Sequence, residues 1–290
     1  MVLDALCDLS TPIIMGILLG GFYALISLGL SLVFGVMRLI NVAHGDFVIL
    51  GSYIAYAAMS FLGFDPILSL MMGIPILAIL GFCIQKYLMR RAFGISMEAP
   101  LIVAFGLSLI IQNFVQVIWS PLSRGLTTSY TLVSFDLSIT NVPLAYLLDF
   151  VAALLVMLLL REFLNRTYLG KAIKASSQDR RAAQLMGVNT ERVYAFAFAI
   201  AMATAAIAGV FLGLTFPFSP VSGVSFLIIA FGVVIIGGLG SMLGTFLGGM
   251  VLGLAQTLGG YFFGAAAQML LAYLIVLIVL AVRPQGIFGR

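Results

Sequence analysis

Charge is what this sequence most lacks. Only 8% of its 290 residues are Asp, Glu, Lys or Arg, against 63% hydrophobic, where a soluble domain carries about 25% charged residues. That deficit excludes a chain built around a water-soluble core. Histidine occurs once, as His44, which excludes a His-pair zinc site and any H-E-x-x-H metalloenzyme. The two cysteines, Cys7 and Cys83, are isolated, have no metal-like spacing and read as small apolar residues. No G-x-x-x-x-G-K-[ST] occurs: Gly170-Lys171-Ala172 lacks both the leading glycine and the hydroxyl, so the chain has no P-loop of its own. No serine sits in a G-x-S-x-G elbow. Enzymatic chemistry therefore has no visible home, and no metal or cofactor is expected on this chain. The stretch "MVLDALCDLSTP" lacks Lys and Arg, and with them the basic n-region of a cleavable signal peptide. The first apolar run is expected to be a permanent span.

What is present is apolar sequence in long runs, at a mean hydropathy of +1.22. Segments of about 20 residues match the hydrocarbon thickness at 1.5 Å rise per residue, whereas a transmembrane barrel would show segments of about 10 alternating residues. The reading is an all-α polytopic membrane protein, one domain over 1–290, with about eight to nine transmembrane helices. Nine spans are placed near 11–36, 46–63, 67–88, 100–119, 143–163, 192–214, 223–238, 241–258 and 265–283. Breaks at Asp65-Pro66, Ala99-Pro100, Pro143, Pro217, Pro220 and Pro284 separate them. With alternate loops on opposite sides, thirteen of the fourteen Lys and Arg fall at one end. Only Arg124 is left at the other. By the positive-inside rule the basic end is cytoplasmic, so the N-terminus is expected outside and the C-terminus inside. Net charge of +4 thus has a topological origin, and nucleic acid is not an expected partner.

One loop, about 164–191, is unlike the rest. Ser176 with Asp179 resembles a capping box, Asp179 to Met186 favours helix, and Gly187 is placed to end it. Asn189 or Thr190 then caps the next span, with Glu191 near its positive end. Ala182, Leu185 and Met186 are expected on one side of this short helix, and Arg180, Arg181 and Gln184 on the other. A helix of about eight residues is not stable alone, so a docking role toward a cytoplasmic partner explains it better than a lipid-surface helix or a bare topology signal.

Three further patterns stand out. In "RLINVAHGDFVILGSY", Asn41, His44 and Asp46 flank Gly45, with Gly51 beyond. Two readings stay open: a broken helix lining a pathway, or a cytoplasmic turn in which Asn41 or Asp46 caps the next helix. In "GGLGSMLGTFLGGMVLG", Gly237, Gly238, Gly240, Gly244 and Gly248 form a small-residue ridge suited to close helix approach. These two stretches echo each other as helix, glycine-centred break, helix, a pattern of transport pathways. The amides Gln112, Asn113, Gln116 and Gln256 read as helix–helix hydrogen bonds. The outer loops, 120–142 and 216–223, are partner-facing or plain connectors, the first able to form a small strand pair or lie flat.

These motifs resemble a known family. "LINVAHGDFVILGSY" is similar to the NxAHGD…G(A/S)Y signature of the LivH-type permease of branched-chain amino-acid ABC importers. "GKAIKASSQDRRAAQLMGVN" resembles its coupling segment, G-x-A-x-R/K-A-x-x-x-D…A-x-x-x-G-I/V-N. "PFSPVSG…GGLGSMLGTFLGG" and the closing "RPQGIFGR" resemble its glycine block and its ending. The resemblance covers about 30–290. It implies a second related permease subunit (a heterodimer), two cytoplasmic ATPases that use ATP and Mg, and a periplasmic amino-acid-binding protein, in a bacterial inner membrane. It also implies ATPase coupling through Gly170, Lys171, Ala172, Ala175, Asp179, Arg180, Arg181, Ala182, Leu185, Gly187, Val188 and Asn189. Competing readings are a permease for another small amide or urea-like solute, and an ion-coupled secondary carrier.

Overall fold

The computed structural model describes residues 2–93, 95–96, 98–136 and 140–288, with side chains from residue 9 onward. The side chain of Cys7, Arg290 and the 137–139 part of the outer loop lie outside them.

The helices are α1 (Val2–Met37), α2 (His44–Leu62), α3 (Leu70–Ala92), α4 (Ala99–Trp119), α5 (Leu144–Arg166), α6 (Tyr168–Gln178), α7 (Arg180–Leu185), α8 (Thr190–Thr215), α9 (Gly223–Gly237), α10 (Met242–Phe263) and α11 (Gln268–Val282). Their ends follow local chemistry. Gly63, in the left-handed region at φ 66°, closes α2, a conformation glycine adopts without a Cβ penalty. Pro100 sits in the first turn of α4, where its missing N–H costs nothing. Within α3, Ile84–Met89 widens into a π-helical turn.

Among the described residues, eight helices are long and apolar enough to cross a membrane. The ninth expected span is corrected: α9 has 15 residues, about 22 Å at 1.5 Å per residue, short of the roughly 30 Å hydrocarbon layer. It begins inside the bundle. The expected strand pair does form in the outer loop, β1 (Ser134–Asp136) against β2 (Asn141–Pro143), antiparallel with Phe135 opposite Val142. Arg124 anchors that loop: its backbone exchanges two 2.8 Å bonds with Phe218, and its guanidinium donates to Tyr56 Oη at 2.5 Å and Trp119 O at 2.6 Å.

The core is set by α1 and α8, whose apolar windows are 78% buried, against 22% for α3 and α4 and 11% for α11. Lipid offers no hydrophobic drive between helices, so close approach depends on small residues. A Cβ on Gly20 would lie 2.5 Å from Met250 Cα, and one on Gly240 2.7 Å from Gly35 Cα. Alanines 201, 205, 206 and 208 do the same for α8.

Candidate functional site

The stretch after α1 turns back into the bundle. Arg38, at φ 52°, reverses the chain, and His44 Nε2 then donates to Ile26 O at 2.9 Å. Ile26 lies about 16 Å along α1 from its Met37 end, so α2 starts deep in the bundle. Asn41, His44 and Asp46 are each no more than 1% exposed. The cluster therefore lies inside the bundle and not on its surface. Neither Asn41 nor Asp46 caps α2, which has no side-chain cap; Asn41 Oδ1 instead accepts from Ala43 N at 3.2 Å.

What α2 meets there is the start of α9. A Cβ on Gly45 would overlap Gly223 O, and one on Gly223 would sit 2.8 Å from Asp46 N. Two helix N-termini thus converge, and only glycine at both positions lets them. Asp46, in the first turn of α2, also lies against Gly223, so its carboxylate faces the positive ends of two helix dipoles. Gln112 of α4 donates to Asp46 Oδ1 at 3.0 Å. Those donors make a buried carboxylate tolerable at this depth. Asn41 Nδ2 and His44 Nδ1 are buried without a hydrogen-bond partner, so the cluster holds a spare donor and a spare acceptor. Gly51 packs on α8, where a Cβ would lie 3.0 Å from Ala206 Cα. The sequence echo likened two glycine-centred breaks in pattern; in space Gly45, at the start of α2, meets the start of α9, while Gly240 meets Gly35 of α1.

A second buried acid went unread in the sequence. Asp149 of α5 is 0% exposed; Thr215 Oγ1 donates to its Oδ2 at 2.7 Å, and its Oδ1 has no partner. The available signal was a lone acid inside the apolar run "AYLLDFVAALL". Of the four amides, Gln112 and Gln256 bond across helices, the latter accepting from Tyr23 Oη at 2.5 Å. Asn113 and Gln116 lie on the exposed face of α4 instead, and Asn113 bonds only its own helix, at Leu109 O.

The basic loop holds two helices where one was expected. Thr167 Oγ1 caps α6 by accepting from Gly170 N at 3.0 Å, and a Cβ on Gly170 would lie 2.6 Å from Leu164 Cα. Ala172 is buried while Lys171 and Ala175 are exposed. Asp179 is the cap of α7, its Oδ1 accepting from Arg181 N at 2.8 Å and Ala182 N at 3.0 Å. Ser176 is not its capping partner; it lies inside α6, buried, with its hydroxyl unpartnered. Gly187, at φ 83°, ends the turn with Val188 N bonding Ala183 O at 3.0 Å, and Asn189 Oδ1 caps α8 by accepting from Arg192 N at 3.1 Å. Ala183 is the buried residue of α7, while Ala182, Leu185 and Met186 are exposed alongside Arg180 and Arg181.

The glycine ridge joins α9 to α10. A Cβ on Gly237 would lie 2.6 Å from Thr245 N, and one on Gly248 2.6 Å from Val233 O. Gly244 sits against Gly237 O. Gly238, at φ 90°, packs against Gly286 of the tail, whose Ile287 N donates to Ile236 O at 2.8 Å.

Two interrupted helices that meet inside an eight-span bundle, with a capped helix pair at the basic end, define a polytopic membrane permease. The family is specific. A model of the family described as "Branched-chain amino acid transport system / permease component" matches residues 13–280, and the chain belongs to that family. It is 34% identical to the high-affinity branched-chain amino acid transport system permease protein BraD of Pseudomonas aeruginosa, over 95% of this chain and 94% of the relative. It is 32% identical to LivH of Salmonella typhimurium, named as the same kind of permease, with the same coverage. Its fold resembles that in the structure of "PsaBC from Streptococcus pneumoniae in complex with Fab" (TM-score 0.51, 15% identity, 93% of this chain and 91% of that one).

Proposed function

We propose that this chain is the transmembrane permease subunit of an ABC importer that moves branched-chain, neutral aliphatic amino acids across a bacterial inner membrane. In this reading the basic end is cytoplasmic. Two separate ATPases bind and split MgATP there, a second related permease completes the pore, and a periplasmic binding protein delivers solute to the opposite end. One observation carries the coupling role. The six residues of α7 are held by caps at both ends, yet Leu185 and the following Met186 are 89% and 84% exposed, an apolar knob pointing away from the rest of the chain. Such a knob fits a groove in a partner, and Arg180 and Arg181 beside it add charge.

Solute passage is assigned to the meeting of α2 and α9. A zwitterion suits it: helix N-termini attract a carboxylate, and Asp46 and His44 Nδ1 offer acceptors for an ammonium. The test is reconstitution of the full complex with leucine uptake and ATP hydrolysis read together. Arg180→Glu with Arg181→Glu is expected to leave assembly intact and to abolish uptake; undiminished uptake would overturn the coupling role. A second reading, an ion-coupled carrier, draws on the half-satisfied carboxylate of Asp149. It predicts that the chain alone, in liposomes with an ion gradient and no ATPase, accumulates leucine.

A further inference from the structure

A cavity of about 810 Å³ opens at the basic end between α3, α7 and α8. Its walls carry two chemistries in sequence along the membrane normal. The inner wall is aromatic: Phe82 of α3 and Phe196 of α8, ring centroids 5.2 Å apart, both within spanning helices. A turn or more outward, Lys86 and Arg90 of α3, Arg192 of α8 and Arg180 of α7 line the same space. Glu191, the one carboxylate of the lining, pairs with Arg90 at 3.0 Å. Among the described residues, Lys86 and Arg180 meet only rings. Lys86 lies over Tyr87 at 5.1 Å, and Arg180 over Tyr194 at 5.5 Å.

A second observation points into the cavity. Gln85 is 3% exposed, lines the space, and its Oε1 has no hydrogen-bond partner. It sits on the π-helical turn Ile84–Met89, whose extra residue per turn brings Gln85 inward while Lys86 stays at the rim; such turns recur at functional sites. A buried amide oxygen without a donor is an exception in folded proteins. The occupant must therefore bring negative charge for three uncompensated cations, a hydroxyl for Gln85, and an apolar extension along Phe82 and Phe196.

We propose that this cavity binds an anionic phospholipid of the phosphatidylglycerol type. Its phosphodiester lies among Lys86, Arg192 and Arg180, a headgroup hydroxyl donates to Gln85 Oε1, and one acyl chain follows the aromatic wall into the bilayer. The lipid would join α3 and α8 to the start of α7. The site shares Arg180 with the coupling helix of the proposed function, but lipid binding itself needs neither ATPase nor solute.

The test is native mass spectrometry of the full chain in detergent, titrated with phosphatidylglycerol, phosphatidylcholine and phosphatidylmethanol of identical acyl chains, and with glycerol 3-phosphate. Phosphatidylglycerol is expected to be retained in preference to phosphatidylcholine. Each cation near a membrane surface contributes about a fivefold factor, so Lys86→Gln with Arg192→Gln should weaken its binding roughly 25-fold. Arg161→Gln, at the same end but outside the cavity, should leave it unchanged. Gln85→Leu should erase the preference for phosphatidylglycerol over phosphatidylmethanol, which lacks the headgroup hydroxyl. Thermal unfolding of each variant confirms that it is folded, and the wild-type lipid comparison needs no variant at all. Equal retention of phosphatidylglycerol and phosphatidylcholine would overturn the proposal. Displacement by glycerol 3-phosphate at lipid-like affinity would overturn it in favour of a soluble phosphate. Undiminished retention of phosphatidylglycerol by Lys86→Gln with Arg192→Gln would overturn it as well.

Discussion

Replacing Gly244 by alanine tests how the bundle is held together, because its expected effect opposes the local one. In a helix interior Gly→Ala normally stabilises by about 1 kcal/mol. At Gly244 the added Cβ would fall on Gly237 O and lie 3.0 Å from Gly237 C. Ser241 Oγ, 2.8 Å away, can rotate aside, but the Gly237 atoms are backbone, so no rotamer change relieves them and α9 and α10 must separate. Overpacking of this kind costs about 1–3 kcal/mol, and contact is lost along the Gly237 and Gly248 seam as well. The net expectation is a loss of about 1–2 kcal/mol, or roughly 2–8 °C in unfolding midpoint for a chain of this size. Gly106, in α4, supplies the control, since a Cβ there would meet nothing within 4 Å. Gly106→Ala should leave the midpoint unchanged or raise it. Midpoints of the two variants in one detergent, by intrinsic fluorescence, decide the matter. If both shift alike, the close approach of α9 and α10 does not limit stability. Gly244→Leu should go further and lose its folded, monodisperse peak on size exclusion.

Asp46→Asn keeps an acceptor for Gln112, whereas Asp46→Leu leaves one of its two amide hydrogens unpaired, the bond to Ser108 Oγ at 3.1 Å remaining, at a cost of about 1–3 kcal/mol; the Leu variant should unfold at a lower temperature than the Asn variant. Asp179→Ala removes the cap of α7, worth about 1 kcal/mol, and should speed amide exchange of residues 180–185 while leaving the spans protected. Burial, with Asp65 as both its acceptor and a neighbouring charge, pushes the Tyr130 phenol up to about 12 from an ordinary 10.0. A raised phenol favours the fold fully below pH 10 and loses that contribution between pH 10 and 12. The phenolate absorbance that Tyr130→Phe removes should therefore appear near pH 12; a difference centred at pH 10 would refute the Asp65 contact. Cysteines placed at Ser123 and Ser177 should label from opposite faces of sealed vesicles, and labelling from one face would reverse the proposed orientation.

Much of the architecture was legible in one dimension. A span must be about 20 apolar residues long and must satisfy its own backbone, so hydropathy and proline breaks located eight spanning helices to within a few residues. Caps were partly legible too, because Gly187 and Asn189 act on backbone groups within three or four residues of themselves. Ser176 misled for the same reason. Its spacing to Asp179 suited a capping box, but Thr167 had already begun a helix that carried Ser176 into its buried face.

Other features depended on residues far apart in the chain. A membrane helix is apolar all round, so its pattern does not separate the lipid face from the core. Nothing local says that α1 and α8 are central while α4 and α11 lie outside. Nor does the 38–53 stretch state its own depth; that followed from His44 reaching Ile26 and from Gly45 meeting Gly223. The same holds for Asp149 and for the cavity around Gln85, where the groups that matter come from separate helices. Hydropathy and caps are short-range properties that a sequence writes directly. Depth, burial and the convergence of two helix ends are set by which glycines and alanines let backbones touch, and that pairing exists only once the helices have packed.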